Sequence, residues 1–189
     1  MNNPTMMNWD ELNLLRASAT TLLQNYRKSH DKKEVHQWCD YMEFVLCLIY
    51  DYGWKDAEQI VGIVPFKDGL DDKAVNLEIE GETYRDRILV QLDEDSLDGI
   101  LRIIDTEAHR DYNTGVYDAG VKSGVTGLKK QWWTMMDGRV RETHSYLQST
   151  IVGLEDRFYT FDDDSALYPG GFSLPENNVN CRCWVTLVR

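Results

Sequence analysis

Basic residues are in short supply: 20 Lys and Arg stand against 32 Asp and Glu, a formal net charge of −12. Affinity for nucleic acid comes largely from neutralising phosphates and releasing counterions, so a chain this acidic is poorly suited to gripping DNA by charge. Long apolar runs are missing as well. The longest, Phe44 to Tyr50, holds seven residues, whereas a membrane-spanning helix needs about 20, so no membrane anchor is expected. The opening residues from Met1 to Asn8 have neither the basic nor the apolar stretch of a secretory leader, and the expected site of synthesis is the cytoplasm. Cysteine is too sparse and too irregular for a disulfide framework, with only Cys39, Cys47, Cys181 and Cys183 present. The first two lie eight apart on one helical face and read as small buried hydrophobes; Cys181-Arg182-Cys183 stands apart.

What is present is an ordinary globular composition, 42% apolar and 28% charged over 189 residues, which fits one domain or one core with an appendage. Asn8 with Glu11 reads as a capping box ahead of an amphipathic helix marked by Leu12, Leu15, Ala19, Leu22, Leu23 and Tyr26. After a charged break at Lys28 to Lys33, a second stripe of Val35, Trp38, Cys39, Met42, Val45, Leu46 and Ile49 predicts an antiparallel partner helix that Gly53 would end. Val75, Leu77 and Ile79 alternate like a short strand. Thr83 is placed to cap a short helix through Leu92, and Ser96 a long spine helix ending near Gly120 or Gly124. Beyond Gly127 helical periodicity nearly vanishes; Trp132 to Thr134 and Val179 to Val188 suit strands separated by turn-rich segments. No internal repeat is apparent. The expected fold is α+β: a helical N-terminal body with a long spine helix and a small β-rich C-terminal unit.

Four segments of the second half follow one another in a distinctive order: Thr106-Glu107-Ala108-His109-Arg110-Asp111-Tyr112-Asn113; Trp133-Thr134 with Asp137-Gly138-Arg139-Val140-Arg141-Glu142-Thr143-His144 and Leu147; Phe161 to Asp164 leading to Tyr168-Pro169-Gly170; and Pro175 leading to Asn180-Cys181-Arg182-Cys183. In this order they resemble the phage head morphogenesis family, the Mu F-like minor head proteins. The apolar spacing gives a helical region over residues 1–80, in which nothing is specific to the family, and the resemblance implies the family's domain over residues 81–189. It also implies a role in procapsid assembly near the portal, with packaging and release alongside DNA as a further expectation. The partners would be portal, scaffold or major capsid protein, and the location the host cytoplasm during assembly and then the procapsid or virion interior. The motif residues that carry the resemblance are Thr106, Glu107, Arg110, Asn113, Trp133, Asp137, Arg139, Arg141, His144, Pro169, Asn180, Cys181 and Cys183. Members usually have Gly two residues after the leucine of the second segment, where this chain has Ser149.

Several chemistries are open to these residues. Arg139 and Arg141 alternate about Val140, so an extended segment would send both guanidinium groups to one face, to clamp carboxylates such as Asp137 and loop carbonyls, or else to grip a phosphate. Cys181, Cys183 and His144 are the ligand types of a zinc site, but a fourth ligand has to be sought at Asp137 or Glu142; the preferred reading is buried thiols, with His144 bonded to a turn carbonyl and no cofactor. A thiolate nucleophile with His144 as base would make the chain an enzyme or toxin-like effector, the alternative to an assembly protein without catalytic residues. Glu107 and His109 point about 200° apart on a helix and cannot form one site by themselves. Trp132, Trp133 and Trp184 are expected to stack across the β unit, with one adjacent tryptophan facing outward. Asp162 to Asp164 read as a solvated turn, with a cation site as the alternative.

Overall fold

The computed structural model describes residues 9–64, 78–79 and 81–189. The strand expected at Val75, Leu77 and Ile79 falls mostly outside them; Ile79 forms an isolated bridge to Glu82. Four helices make the body: α1 Asp10–Ser29, α2 Lys32–Val61, α3 Tyr84–Asp93 and α4 Leu97–Ser123. The buried face of α1 is the predicted stripe, Leu12, Leu15, Ala19, Leu22, Leu23 and Tyr26. Its N-cap is Trp9, without a side-chain cap, so the expected Asn8–Glu11 box gives way to Asp10 and Glu11 in the positively polarised first turn; Asn8 itself lies outside the described residues. Helix α1 ends at His30 in the left-handed conformation, and Asp31 caps α2 by accepting from the Lys33 N–H. The two run antiparallel, tied by Trp38 Nε1 to Ser18 Oγ (2.7 Å) and Asn25 to Glu34 (2.6 Å). Thr83 caps α3 in a full capping box with Asp86, Ser96 caps α4, and Gly124 closes it at φ 65°.

Gly53 does not end α2, which continues to Val61. It is the crossing point with α4. A Cβ there would collide with the Tyr112 carbonyl, and a Cβ at Gly115 would collide with the Tyr50 carbonyl, so each helix lays its backbone into the other at a glycine. The crossing is locked on both sides: Tyr112 Oη donates to Asp56 (2.6 Å) and Tyr50 Oη to Asp118 (2.8 Å). Both helices therefore carry Tyr-x-x-Gly-x-x-Asp, at 50–56 and 112–118, a short repeat where none is expected from the sequence.

The second half is β1 Lys129–Trp133, a short helix α5 Glu142–Ser145, β2 Ile151–Gly153, β3 Phe158–Tyr159, β4 Ser165–Ala166, α6 Pro175–Asn178 and β5 Trp184–Val188. One antiparallel sheet has the order β2-β1-β5, with Trp132 opposite Val185 and Trp133 opposite Trp184; β3 and β4 form a separate ribbon. Adjacent tryptophans do face opposite ways. Trp133 stacks on Trp184 (6.4 Å, 18°) and is half-buried rather than exposed, while Trp132 leaves that stack for the interior, edge-on to Phe158 and Phe172. Sheet and helices share one apolar core. Ser149 adopts φ 65°, the left-handed conformation that glycine takes most readily.

The glycine crossing makes a direct expectation. Gly115→Ala should lower stability by about 1–3 kcal/mol by forcing the helices apart, equivalent to a melting temperature several degrees lower for a chain of this size. Gly138→Ala, at a turn where an added Cβ meets nothing within 4 Å, should leave melting unchanged in the same thermal scan.

Candidate functional site

Helix α4 is buried without interruption from Glu107 to Val116, on every side, so its polar residues need partners inside the protein. They find them in separate directions. Glu107 accepts from Arg87 (2.8 Å) and forms an ion pair with Arg110 (2.5 Å), and Arg110 also reaches Asp111 (3.3 Å). Burial pushes the Asp111 carboxyl up, with the Arg110 charge opposing it. Gly170, at φ 92° after the buried Pro169, brings its backbone against Arg110, where a Cβ would sit 3.0 Å from the Arg110 Cα. Toward the sheet, Asn113 acts as a splice between helix and strand: its Oδ1 accepts from Val185 N (3.0 Å), and its Nδ2 donates to the His109 carbonyl (2.9 Å) and the Cys183 carbonyl (3.5 Å). Thr106, half-buried, has an inward Oγ with no partner among the described residues. Glu107 and His109 do face different surroundings, as their spacing predicts.

The sheet-side end of this arrangement gathers His109, His144, Cys181 and Cys183, all buried. His144 Nδ1 lies 3.6 Å from the sulfur of Cys181 and 3.6 Å from that of Cys183. The expected turn carbonyl is not its partner, because Phe172 stacks on the imidazole (5.2 Å, 22°) and Trp132 meets it edge-on, fixing the ring toward the sulfurs. Burial lowers the His109 pKa. The hydrogen bond from Cys183 draws the Cys181 thiol down against the opposing effect of burial, with His144 helping, while the same bond and then burial push Cys183 up. A cavity of about 480 Å³ opens beside this cluster; Cys181 and His109 form one wall, and Arg16, Arg182, Trp9 and Trp184 line others. Asn180, exposed at φ 56°, turns the chain at its edge.

The arginine clamp is real but differently assembled. Residues 137–140 form a turn closed by Val140 N to the Asp137 carbonyl (3.0 Å), not an extended segment, so Arg139 and Arg141 do not share a face. Arg139 is 80% exposed and 3.8 Å from Asp137. Arg182 holds Asp137 instead, through two bonds of 2.6 and 2.9 Å, and together with the Arg139 N–H lowers its carboxyl to about 2. Arg141 bonds the Val179 carbonyl, joining the second and fourth motif segments. Within the acidic run only Asp162 and Asp163 are solvated. Asp164 is buried and accepts from Ser165 N, Ser173 N and Oγ, Leu174 N and Asn177. Burial opposes its charge, but these donors outweigh it and hold the carboxyl well below the usual range. Lys130, fully buried, donates to the carbonyls of Leu154 and Asp156, and burial lowers it to about 8. Sequence reasoning passed over Lys130, although strict alternation places it on the Trp132 face; nothing in three consecutive aspartates distinguishes Asp164.

Residues 75–186 match the family described as phage Mu protein F like protein. Among curated proteins, a 109-residue stretch, 55% of this chain, is 32% identical to the NAD(+)-arginine ADP-ribosyltransferase EFV of Enterococcus faecalis; the match takes in 22% of that protein's length. No solved structure matches. No described helix is long and apolar enough to cross a membrane.

Arg141→Ala should cost about 1.5–3 kcal/mol, the value of a hydrogen bond from a charged group, and expose the segment after Lys130 to protease, while Arg139→Ala should behave as wild type in the same digestion and melt. Asp164 supplies stability that is complete above the unfolded carboxylate pKa of about 3.9 and is lost as pH falls toward its lower folded value. Melting between pH 5 and pH 2 should therefore decline less steeply in Asp164→Asn, which starts from a lower stability at pH 7.

Proposed function

Because the chain belongs to the phage Mu protein F like family, we propose that it is a phage or prophage minor head protein acting in procapsid assembly near the portal. The observation that carries this reading is the use made of the motif residues. Glu107 and Arg110 pair with each other, Asn113 ties helix to strand, Asp137 is held by Arg182, and Arg141 joins two loops. They build a rigid body and leave recognition to the surface. There, Tyr146 and Phe161 lie against one another (5.7 Å), exposed beside Tyr159, and offer aromatic anchors to a portal, scaffold or major capsid protein. An acidic chain held by such anchors binds with little dependence on salt, whereas attachment through DNA phosphates weakens steeply as salt rises.

A second reading draws on the Enterococcus faecalis relative named as an ADP-ribosyltransferase: an enzyme or toxin-like effector that carries a Mu F-like packaging domain. Two measurements separate the readings. Mass spectrometry of purified procapsids and virions should find the protein at low copy, resistant to a salt wash, and deletion of its gene should impair head assembly; absence from both particles with normal assembly would overturn the proposal. Incubation with NAD⁺ and an arginine-containing acceptor should yield no ADP-ribosylated product, and transfer would establish the effector reading.

A further inference from the structure

His144, on α5, and Cys181 and Cys183, just before β5, come together from segments 37 and 39 residues apart. Their three ligand atoms lie within 4.8 Å of one another, and all three residues are buried. Zinc bonds sulfur at about 2.3 Å and imidazole nitrogen at about 2.0–2.1 Å; at a tetrahedral angle these lengths give an N···S edge of about 3.6 Å. Both measured edges are 3.6 Å. Hydrogen bonding explains this symmetry poorly. In either neutral tautomer Nδ1 offers one lone pair or one N–H, and neither serves two thiols equally; the buried Nε2 meets no partner among the described residues. A cation between the three atoms is bound by all of them at once.

We propose that His144, Cys181 and Cys183 form a zinc site, with a water from the adjoining cavity as the fourth donor. Two thiolates and one imidazole suit a borderline-soft ion rather than magnesium or calcium. The two thiolates balance the charge of the ion, so the buried site carries none in excess. The ring is aimed in advance by Phe172 and Trp132, the orientation that surrounding residues impose on metal-binding histidines. Cys181 and His109 line the cavity, which gives ion and water a way in. The preference for metal-free thiols in the sequence rests on counting ligands; geometry and an open fourth position remove that objection. The ion would staple the Arg141–Leu147 turn to the start of the closing strand, which no long element connects.

The test is elemental analysis of the full chain purified without chelator, together with cobalt substitution after zinc removal. About one zinc per chain is expected, and cobalt should give thiolate-to-metal charge transfer with the intense visible bands of a tetrahedral ion. Cys183→Ser should weaken binding by more than the roughly tenfold that follows loss of an outer partner, while Cys39→Ala, in the helical core, should keep full occupancy. If Cys183→Ser does not fold, the cobalt spectrum of the wild-type chain decides alone. Substoichiometric zinc with no thiolate charge transfer, or a Cys181–Cys183 disulfide in freshly purified protein, would overturn the proposal.

Discussion

Two glycines that let α2 and α4 meet backbone to backbone set the geometry on which everything downstream depends. Ridge-and-groove packing normally holds helix axes 8–10 Å apart because side chains intervene. At Gly53 and Gly115 none do, and each helix's carbonyl occupies the space of the other's missing Cβ. Reciprocal tyrosine-to-aspartate bonds then fix rotation about the contact. With α4 held this way, Tyr112 and Gly115 belong to the helical body, and the residues between and beside them, His109 and Asn113 above all, are turned toward the sheet. A helix free to roll by one residue, about 100°, would carry the Asn113 splice and the histidine wall of the cavity away from β5.

The spine helix is also the place where the interior is least oily. Ten consecutive buried residues include Glu107, His109, Arg110, Asp111 and Asn113, each a desolvation penalty unless matched. Matching comes from distant parts of the chain: Arg87 from α3 and the backbone of β5. Apolar burial holds the halves together, but these polar contacts choose how they meet, since a slid or rotated arrangement would keep much of the oil and lose the partners.

Amphipathic periodicity made α1, the first half of α2, α3 and α4 legible, because each hides a stripe over at least part of its length, α4 before it is buried all round at Glu107, and capping residues at Thr83 and Ser96 marked two starts correctly. The sequence misled at Gly53, where a residue that commonly terminates helices serves close approach instead; the matching Tyr-x-x-Gly-x-x-Asp around Gly115 is the signal that distinguishes the two uses. Motif positions were legible and their partners were not. Asp137 was assigned to the nearest arginines in sequence but is held by Arg182, 45 residues away, and Asp164 looked like its solvated neighbours until the loops that donate to it were folded around it. Pairings of that kind depend on which loops meet, and local spacing carries no record of them.

The sheet order β2-β1-β5 places the strand made first between one made soon after it and one made last. Until residues 184–188 have left the ribosome, β1 has one edge open, Trp132 has no Val185 opposite it, and Asn113 has no strand amide to receive. The helices from Asp10 to Ser123 have all been made before the first strand. During synthesis the chain therefore passes through a stage in which β1 has an open edge, a feature prone to pairing with other chains. The closing strand acts as a timer: it sets the moment at which the β unit takes its final form.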